Sequence, residues 1–157
     1  MAIVKKLKQH PPLPPSRYEV GIYCRVSTAS KTQVVSAVHQ LSGLIADVAN
    51  SQQARLYDVY LDIQSGRTSD NRKNLMRLLD DCRAGRVTLV YTKSISRFAR
   101  NTVDVLTIVR ELKKVNVPVY FENEQLYSFD KEAELVISLH GAIAQGESEN
   151  KSENIKW

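Results

Sequence analysis

Tyr23-Cys24-Arg25-Val26-Ser27 is the stretch on which the reading of this chain turns. It closes an apolar run that begins near Tyr18, and it sets a cation and a hydroxyl where strand-forming residues give way to the polar segment Thr28 to Thr32. Side chains alternate faces along an extended strand, so Val20, Ile22, Cys24 and Val26 share one side and Tyr23, Arg25 and Ser27 the other. Arg25 and Ser27 are therefore neighbours. A serine at a strand's carboxyl end, beside a guanidinium suited to bidentate phosphate contact, fits a nucleophile aimed at a phosphoryl group. A strand ending at an ordinary helix cap accounts for the same five residues, because Ser and Thr are favoured caps.

Outward from this strand the chain alternates in type. A helical pattern with Val34, Val35, Val38, Leu41, Leu44, Ile45 and Val48 follows and is expected to cover the sheet. Residues 56–61 read as a second strand, ending in a loop over 62–69 rich in Ser, Gly and Thr. Ser69 or Asp70 is placed to cap the next helix, in which Leu75, Leu78, Leu79 and Cys82 fall at helical spacing and which Gly85 stops. Residues 87–91 are almost wholly apolar, the mark of a strand covered on both faces. After the segment 92–100, a helix over 101–115 is expected to bury Val103, Leu106, Ile108, Val109 and Leu112, and 117–121 gives a fourth strand. The alternation predicts an α/β fold: a mostly parallel central sheet of four to five strands with helices on both faces, plus a long C-terminal helix.

Three regions follow from composition. Residues 1–16 hold Pro11, Pro12, Pro14 and Pro15 with Lys5, Lys6 and Lys8, which predicts a flexible N-terminal arm. Residues 17–130 form the α/β domain in this reading, and 131–157 begin the long helix. That helix starts near Glu132 with Leu135, Leu139, Ala142 and Gly146 on one stripe and Val136 and Ile143 beside it, an apolar surface wide for packing on one side only. It is expected either to pack on a second subunit or to lead into a further domain; a frayed terminus is the plain alternative.

At 157 residues the chain is long enough for one real core. Its 22 Lys and Arg against 17 Asp and Glu give a formal charge of +5, which admits a polyanionic partner. Cys24 and Cys82 lack the paired spacing of a zinc site and read as reduced thiols. No apolar run approaches the ~20 residues of a membrane span, and the N-terminus lacks an apolar signal core. A cytoplasmic protein with no membrane partner is expected.

Ligands of open parallel sheets bind beyond the carboxyl ends of the strands. That rule selects Ser27, the loop after the second strand and the segment 92–100, which together offer Arg25, Ser27, Gln33, Arg67, Arg72, Lys93, Ser96, Arg97 and Arg100. They make a cation-rich rim around one hydroxyl. Arg97 and Arg100 are three apart, so on a helix starting here both point the same way and its N-terminus adds attraction for an anion. Phosphate is the guest this chemistry selects. A nucleotide-binding loop is disfavoured, since Thr28-Ala29-Ser30-Lys31 contains no glycine. Asp62 and Glu124 are placed to orient arginines, or are simply solvated. Tyr23 reads as a packing or positioning residue, and His39 and His140 are expected in core or interface packing.

Four pieces in this order are specific: Tyr23 to Thr28; Ser65-Gly66 with Asn71-Arg72 and Leu78-Leu79; Lys93-Ser94-Ile95-Ser96-Arg97-Phe98-Ala99-Arg100-Asn101-Thr102; and Ala144-Gln145 through Trp157. Over residues 18–157 the chain resembles the catalytic domain of serine site-specific recombinases, the resolvase/invertase family, and within it the large serine recombinases of conjugative transposons. The resemblance implies that Ser27 attacks a DNA phosphodiester to give a 5′-phosphoserine link and a free 3′-hydroxyl, followed by strand exchange and rejoining. It implies that Arg25, Arg72, Arg97 and Arg100 hold the scissile phosphate, that Gln33 and Gln40 support them, and that no metal or other cofactor takes part; Ser96 is a further candidate supporting residue. Arg67 and Lys93 are candidate DNA contacts. The implied partners are double-stranded DNA at a crossover site and further copies of the chain, a homodimer assembling to a synaptic tetramer through the helix near Glu132. Smaller family members carry an aspartate immediately before the arginine matched by Arg97, where this chain has Ser96. That departure keeps a second reading open, a catalytically inactive DNA-associated assembly module of the same fold.

Overall fold

Strand β1 (Tyr18–Ser27) lies between β2 (Ala54–Gln64) and β3 (Leu89–Thr92), and β4 (Val119–Phe121) and β5 (Leu126–Tyr127) complete a sheet in the order β2-β1-β3-β4-β5. The pairings are parallel except that of β4 with β5. The helices are α1 (Lys31–Ala49), α2 (Lys73–Arg83), α3 (Ile95–Phe98), α4 (Thr102–Lys114) and α5 (Ala133–Ile155). This computed structural model describes residues 17–27, 30–64, 72–99 and 101–155, with side chains as far as residue 146.

The alternation along β1 sets the layers. Val20 and Ile22 face α1 together with Leu89 and Tyr91 of β3, closing on Leu44 and Val48. Tyr23, Val90, Val119 and Phe121 face the other way, onto Leu75, Leu78 and Leu79 of α2 and Val105, Ile108, Val109 and Leu112 of α4. Each such side chain contributes roughly 1.5–3 kcal/mol by leaving water, so both faces of the sheet are held by apolar burial.

Helix α2 ends where glycine was expected to end it. Gly85 has φ +78°, its N–H donates to the Cys82 carbonyl and the Arg86 N–H to the Asp81 carbonyl, the paired bonds of a Schellman stop. Its start differs from expectation. Ser69 and Asp70 lie outside the described residues, and the amides of Asn74 and Leu75 are instead accepted by the two carboxylate oxygens of Asp62, on the end of β2, at 2.9 and 3.0 Å.

Three further expectations are corrected. Only the second half of α1 covers the sheet; Val34, Val35 and Val38 are 37, 56 and 57% exposed. The register explains it: β1 runs four residues beyond Tyr23, the last residue paired with β3, so α1's first turns meet a sheet narrowed to β1 and β2. Val103 is 71% exposed and Val105 is buried, because α4 turns Val105, Ile108, Val109 and Leu112 inward at helical spacing and Val103 falls off that face. His39 and His140 are exposed, which overturns the core half of their expected place and leaves an interface role open to a second copy of the chain. Among the described residues, no helix is long and apolar enough to cross a membrane.

Candidate active site

The chain reverses its direction of travel across the sheet between β1 and β3, so the crevice at their carboxyl ends is where an open α/β sheet binds ligands. Ser27 ends β1 there, partly exposed. Arg25, two residues earlier on the same face, donates from Nη2 to the Ser96 carbonyl at 3.0 Å. Arg72, at the cap position of α2, donates from Nη2 to the Phe98 carbonyl at 2.5 Å. The short helix α3 thus gathers arginines from β1 and α2 onto its own backbone carbonyls. Arg97, on α3 itself, is exposed and has no carboxylate partner among the described residues, and the buried Nε of Arg72 has no acceptor among them.

The surroundings fix these groups. Asp62, 6% exposed, accepts from the two α2 amides and from the Tyr23 hydroxyl at 3.0 Å, while Asn74 Nδ2 donates to the Leu61 carbonyl at 2.6 Å. The α2 start that carries Arg72 is therefore tied to the ends of β1 and β2. Burial, reinforced by the Asp62 carboxylate and opposed by the neighbouring Arg72, pushes the Tyr23 hydroxyl up to about 12, so it stays a donor at neutral pH. Burial likewise raises the Cys24 thiol, on the opposite face of β1 from Ser27.

Helix α3 is pinned as firmly. Ser94 Oγ accepts from the Arg97 amide at 3.2 Å, and both carboxylate oxygens of Glu124 sit 3.3 Å from the Ile95 amide. The turn between β4 and β5 adds the Lys93–Glu122 ion pair at 3.0 Å and a bond from the Asn123 amide to the Lys93 carbonyl at 2.8 Å. Phe98 meets Tyr23 and Phe121 edge-to-face, with ring centroids 5.8 and 5.5 Å apart.

Ser27, Arg25, Arg72, Ser96 and Arg97 are thus brought to one end of the sheet. Ser96 is exposed and its hydroxyl lies 3.1 Å from that of Ser94. Gln33 is exposed on the first turn of α1, and Gln40 lies two turns on, its amide 3.4 Å from Ser36 Oγ. Lys93 is engaged by Glu122 rather than extended into solvent. Arg67 and Arg100 lie outside the described residues. The segment 92–100 forms the short helix α3 and then breaks: Ala99 is extended, with φ −149° and ψ +160°, and α4 begins at Thr102 capped by Asn101, close to the expected start at 101. The start of α3 offers no free amide at Ile95 or Arg97, since Glu124 and Ser94 already occupy them. Sequence reasoning gave Asp62 and Glu124 no definite part. Each works through a backbone amide distant in sequence, and only the fold shows such a pairing.

Arg72 and Arg97, beside α3, differ from most arginines of the described surface. Arg55, Arg77, Arg83, Arg86 and Arg110 each pair with a carboxylate. Arg72 and Arg97 do not, which leaves positive charge concentrated next to Ser27.

A mostly parallel sheet with a hydroxyl at the end of its first strand, and arginines grouped on a short helix beside it, defines a resolvase-like catalytic domain. The chain belongs to the family described as "Resolvase, N terminal domain", whose model matches residues 20–157. It is 30% identical over 125 residues to the R46 site-specific recombinase of Escherichia coli, covering 80% of this chain and 60% of that protein. It is 29% identical over 131 residues, 82% of this chain, to a protein of Bacillus subtilis (strain 168) that carries the name of a DNA recombinase, and spans 25% of that protein's length. Among solved structures, a resolvase family site-specific recombinase from Streptococcus pneumoniae superposes with TM-score 0.64 at 27% identity, covering 89% of this chain and 94% of that one. The N-terminal catalytic domain of TP901-1 integrase shares the fold, with TM-score 0.59 at 20% identity over 85% of this chain and 98% of that one.

Proposed function

We propose that this chain is the DNA-cleaving and rejoining domain of a serine recombinase, with Ser27 as nucleophile. The observation that carries the reading is the convergence of Arg25 and Arg72 on the carbonyls of α3, with Arg97 alongside, next to a partly exposed serine at the end of β1. Ser27 Oγ attacks the phosphorus and displaces the 3′ oxygen, so one phosphoester bond forms as another breaks. The serine proton is lost and the leaving oxygen gains one, giving a 5′-phosphoserine and a 3′-hydroxyl. Reversal with a new 3′-hydroxyl rejoins the strand without an external energy source. Guanidiniums held in place before the reaction stabilise the charge that develops on the phosphoryl oxygens. Being always protonated, they serve as donors to the leaving oxygen and never as the base.

The partners in this reading are duplex DNA at a crossover site and a second copy of the chain. The outward stripe of α5 supports the second partner: Leu135, Leu139 and Ile143 are 62, 53 and 62% exposed, while among the described side chains Ala133 and Ile137 are buried against the domain and Val136 partly so. Two such dimers would form the synaptic complex.

Strand cleavage tests the chemistry. The natural protein carrying this chain, incubated with DNA bearing its crossover site and quenched with denaturant, is expected to leave 3′ ends that a polymerase extends and 5′ ends blocked by protein. Free 5′-phosphate ends would show cleavage without a serine link and overturn Ser27 as nucleophile, and no cleavage despite confirmed binding and synapsis would replace this reading with the inactive assembly module.

A further inference from the structure

Helix α5 is held at its start and released at its middle. Ala133 and Ile137 are buried, and Glu134 receives a two-pronged bond from Arg110 of α4 at 2.7 and 3.0 Å. From Ala142 onward the described side chains are largely exposed, beside a groove of about 680 Å³ lined by Ile95, Ser96 and Ala99 on one side and His140, Ala142 and Ala144 on the other.

Gly141 sits at the boundary between the two halves. A Cβ built on it would lie 1.6 Å from Thr102 Oγ1 and 2.8 Å from Thr102 Cβ. Turning the threonine about χ1 moves Oγ1 away but leaves its Cβ in place, so any larger residue at 141 forces the two helices apart. Glycine is the poorest helix former after proline, and Gly85 is the glycine with positive φ among the described residues, so local backbone need does not account for Gly141. Close approach does. Thr102 is the first residue of α4, and Phe98, four residues earlier, is locked in the aromatic stack with its carbonyl on Arg72. The connection out of α3 therefore runs between two anchors, Phe98 on the core and Thr102 on Gly141.

We propose that Gly141 is a positioning residue whose contact with Thr102 registers α5 against the segment that carries Ser96 and Arg97. A change in how α5 is seated is passed through Thr102 to α3, and from its carbonyls to Arg25 and Arg72. The effect on DNA cleavage rests on the recombinase reading; the contact itself does not.

A double-variant cycle tests it with two readouts. In this chain, Gly141→Ala is expected to speed hydrogen exchange at the Ala99 and Val105 amides, which bond the Ile95 and Asn101 carbonyls, and to have no such effect in a Thr102→Gly background. In the natural protein, Gly141→Ala is expected to slow covalent adduct formation about 10- to 100-fold, as small misplacements of reacting groups do, and again to have no effect once Thr102 is Gly. If Gly141→Ala alone fails to fold, recovery of the fold in the double variant supports the contact in the same way. Wild-type exchange and adduct rates in Gly141→Ala, or losses that persist undiminished with Thr102→Gly, would overturn the proposal. A wild-type protein that forms no adduct would overturn the recombinase reading, and the exchange cycle would then decide the contact by itself.

Discussion

Asp62 shows how much one buried side chain sets here. Its carboxylate accepts from the Asn74 and Leu75 amides and the Tyr23 hydroxyl, and so fixes the turn of helix from which Arg72 reaches Phe98. Asp62→Asn replaces one acceptor with a donor facing another donor. It should cost on the order of 1–3 kcal/mol in chemical denaturation and slow cleavage more than it weakens DNA binding. If Arg72 holds the phosphate as proposed, Arg72→Ala should lower the cleavage rate about 10²- to 10³-fold; Arg72→Lys, lacking the planar fork, should recover little of it. Cleavage by Arg72→Ala within a few-fold of wild type would remove Arg72 from the site. That Arg25 and Ser27 share a face was legible from strand parity, and Arg72 and Arg97 were gathered with them by the strand-end rule and the family resemblance. The part of Asp62 was not legible, because a carboxylate in a loop looks the same whether it is solvated or caps a helix from another element.

At the scale of elements, α2 is bounded by two carboxylates, Asp62 at its start and Asp81 at its end. Asp81 accepts from the Tyr60 hydroxyl at 2.5 Å and from Arg86 Nε at 2.7 Å, and these bonds hold its carboxyl below the usual range. A depressed folded-state value means the stabilisation is fully present above the unfolded value near 3.9 and is lost as pH falls through the folded one. Urea unfolding should therefore show stability dropping below about pH 4 in wild type, and a shallower drop in Asp81→Asn; parallel curves would assign the acid sensitivity elsewhere. The order of the main strands and helices and the apolar face of α2 were readable from periodicity, and that of α4 only in part, since Val103 was set on it in place of Val105. The edge strand β5 was not, since two residues are too few to show a period, and α1's uncovered first turns follow from where β3 stops, a property of its neighbours and not of α1.

At the scale of the molecule, charge and surface lead to two predictions. The chain alone should bind duplex DNA weakly and without sequence preference. If Arg25, Arg72 and Arg97 are the phosphate contacts, the logarithm of affinity should fall against that of salt with a slope of about −3. A salt-independent or strongly sequence-selective affinity would place the DNA contact elsewhere. The outward stripe of α5 should carry self-association: Leu139→Glu or Ile143→Glu should shift the natural protein toward monomer in sedimentation while leaving the fold unchanged. The fold and its family could be read from four short motifs, whereas the α3 hub joining Arg25 to Arg72 was hidden, because backbone carbonyls carry no residue type.

The most direct test is to trap the protein on its crossover DNA, digest both, and locate the nucleotide-bearing peptide by mass spectrometry. The account predicts a single modified residue, Ser27, joined to a 5′ phosphate, and no adduct in a folded Ser27→Ala variant. A nucleotide on Ser96 or any other residue, or an adduct that survives Ser27→Ala, would contradict it.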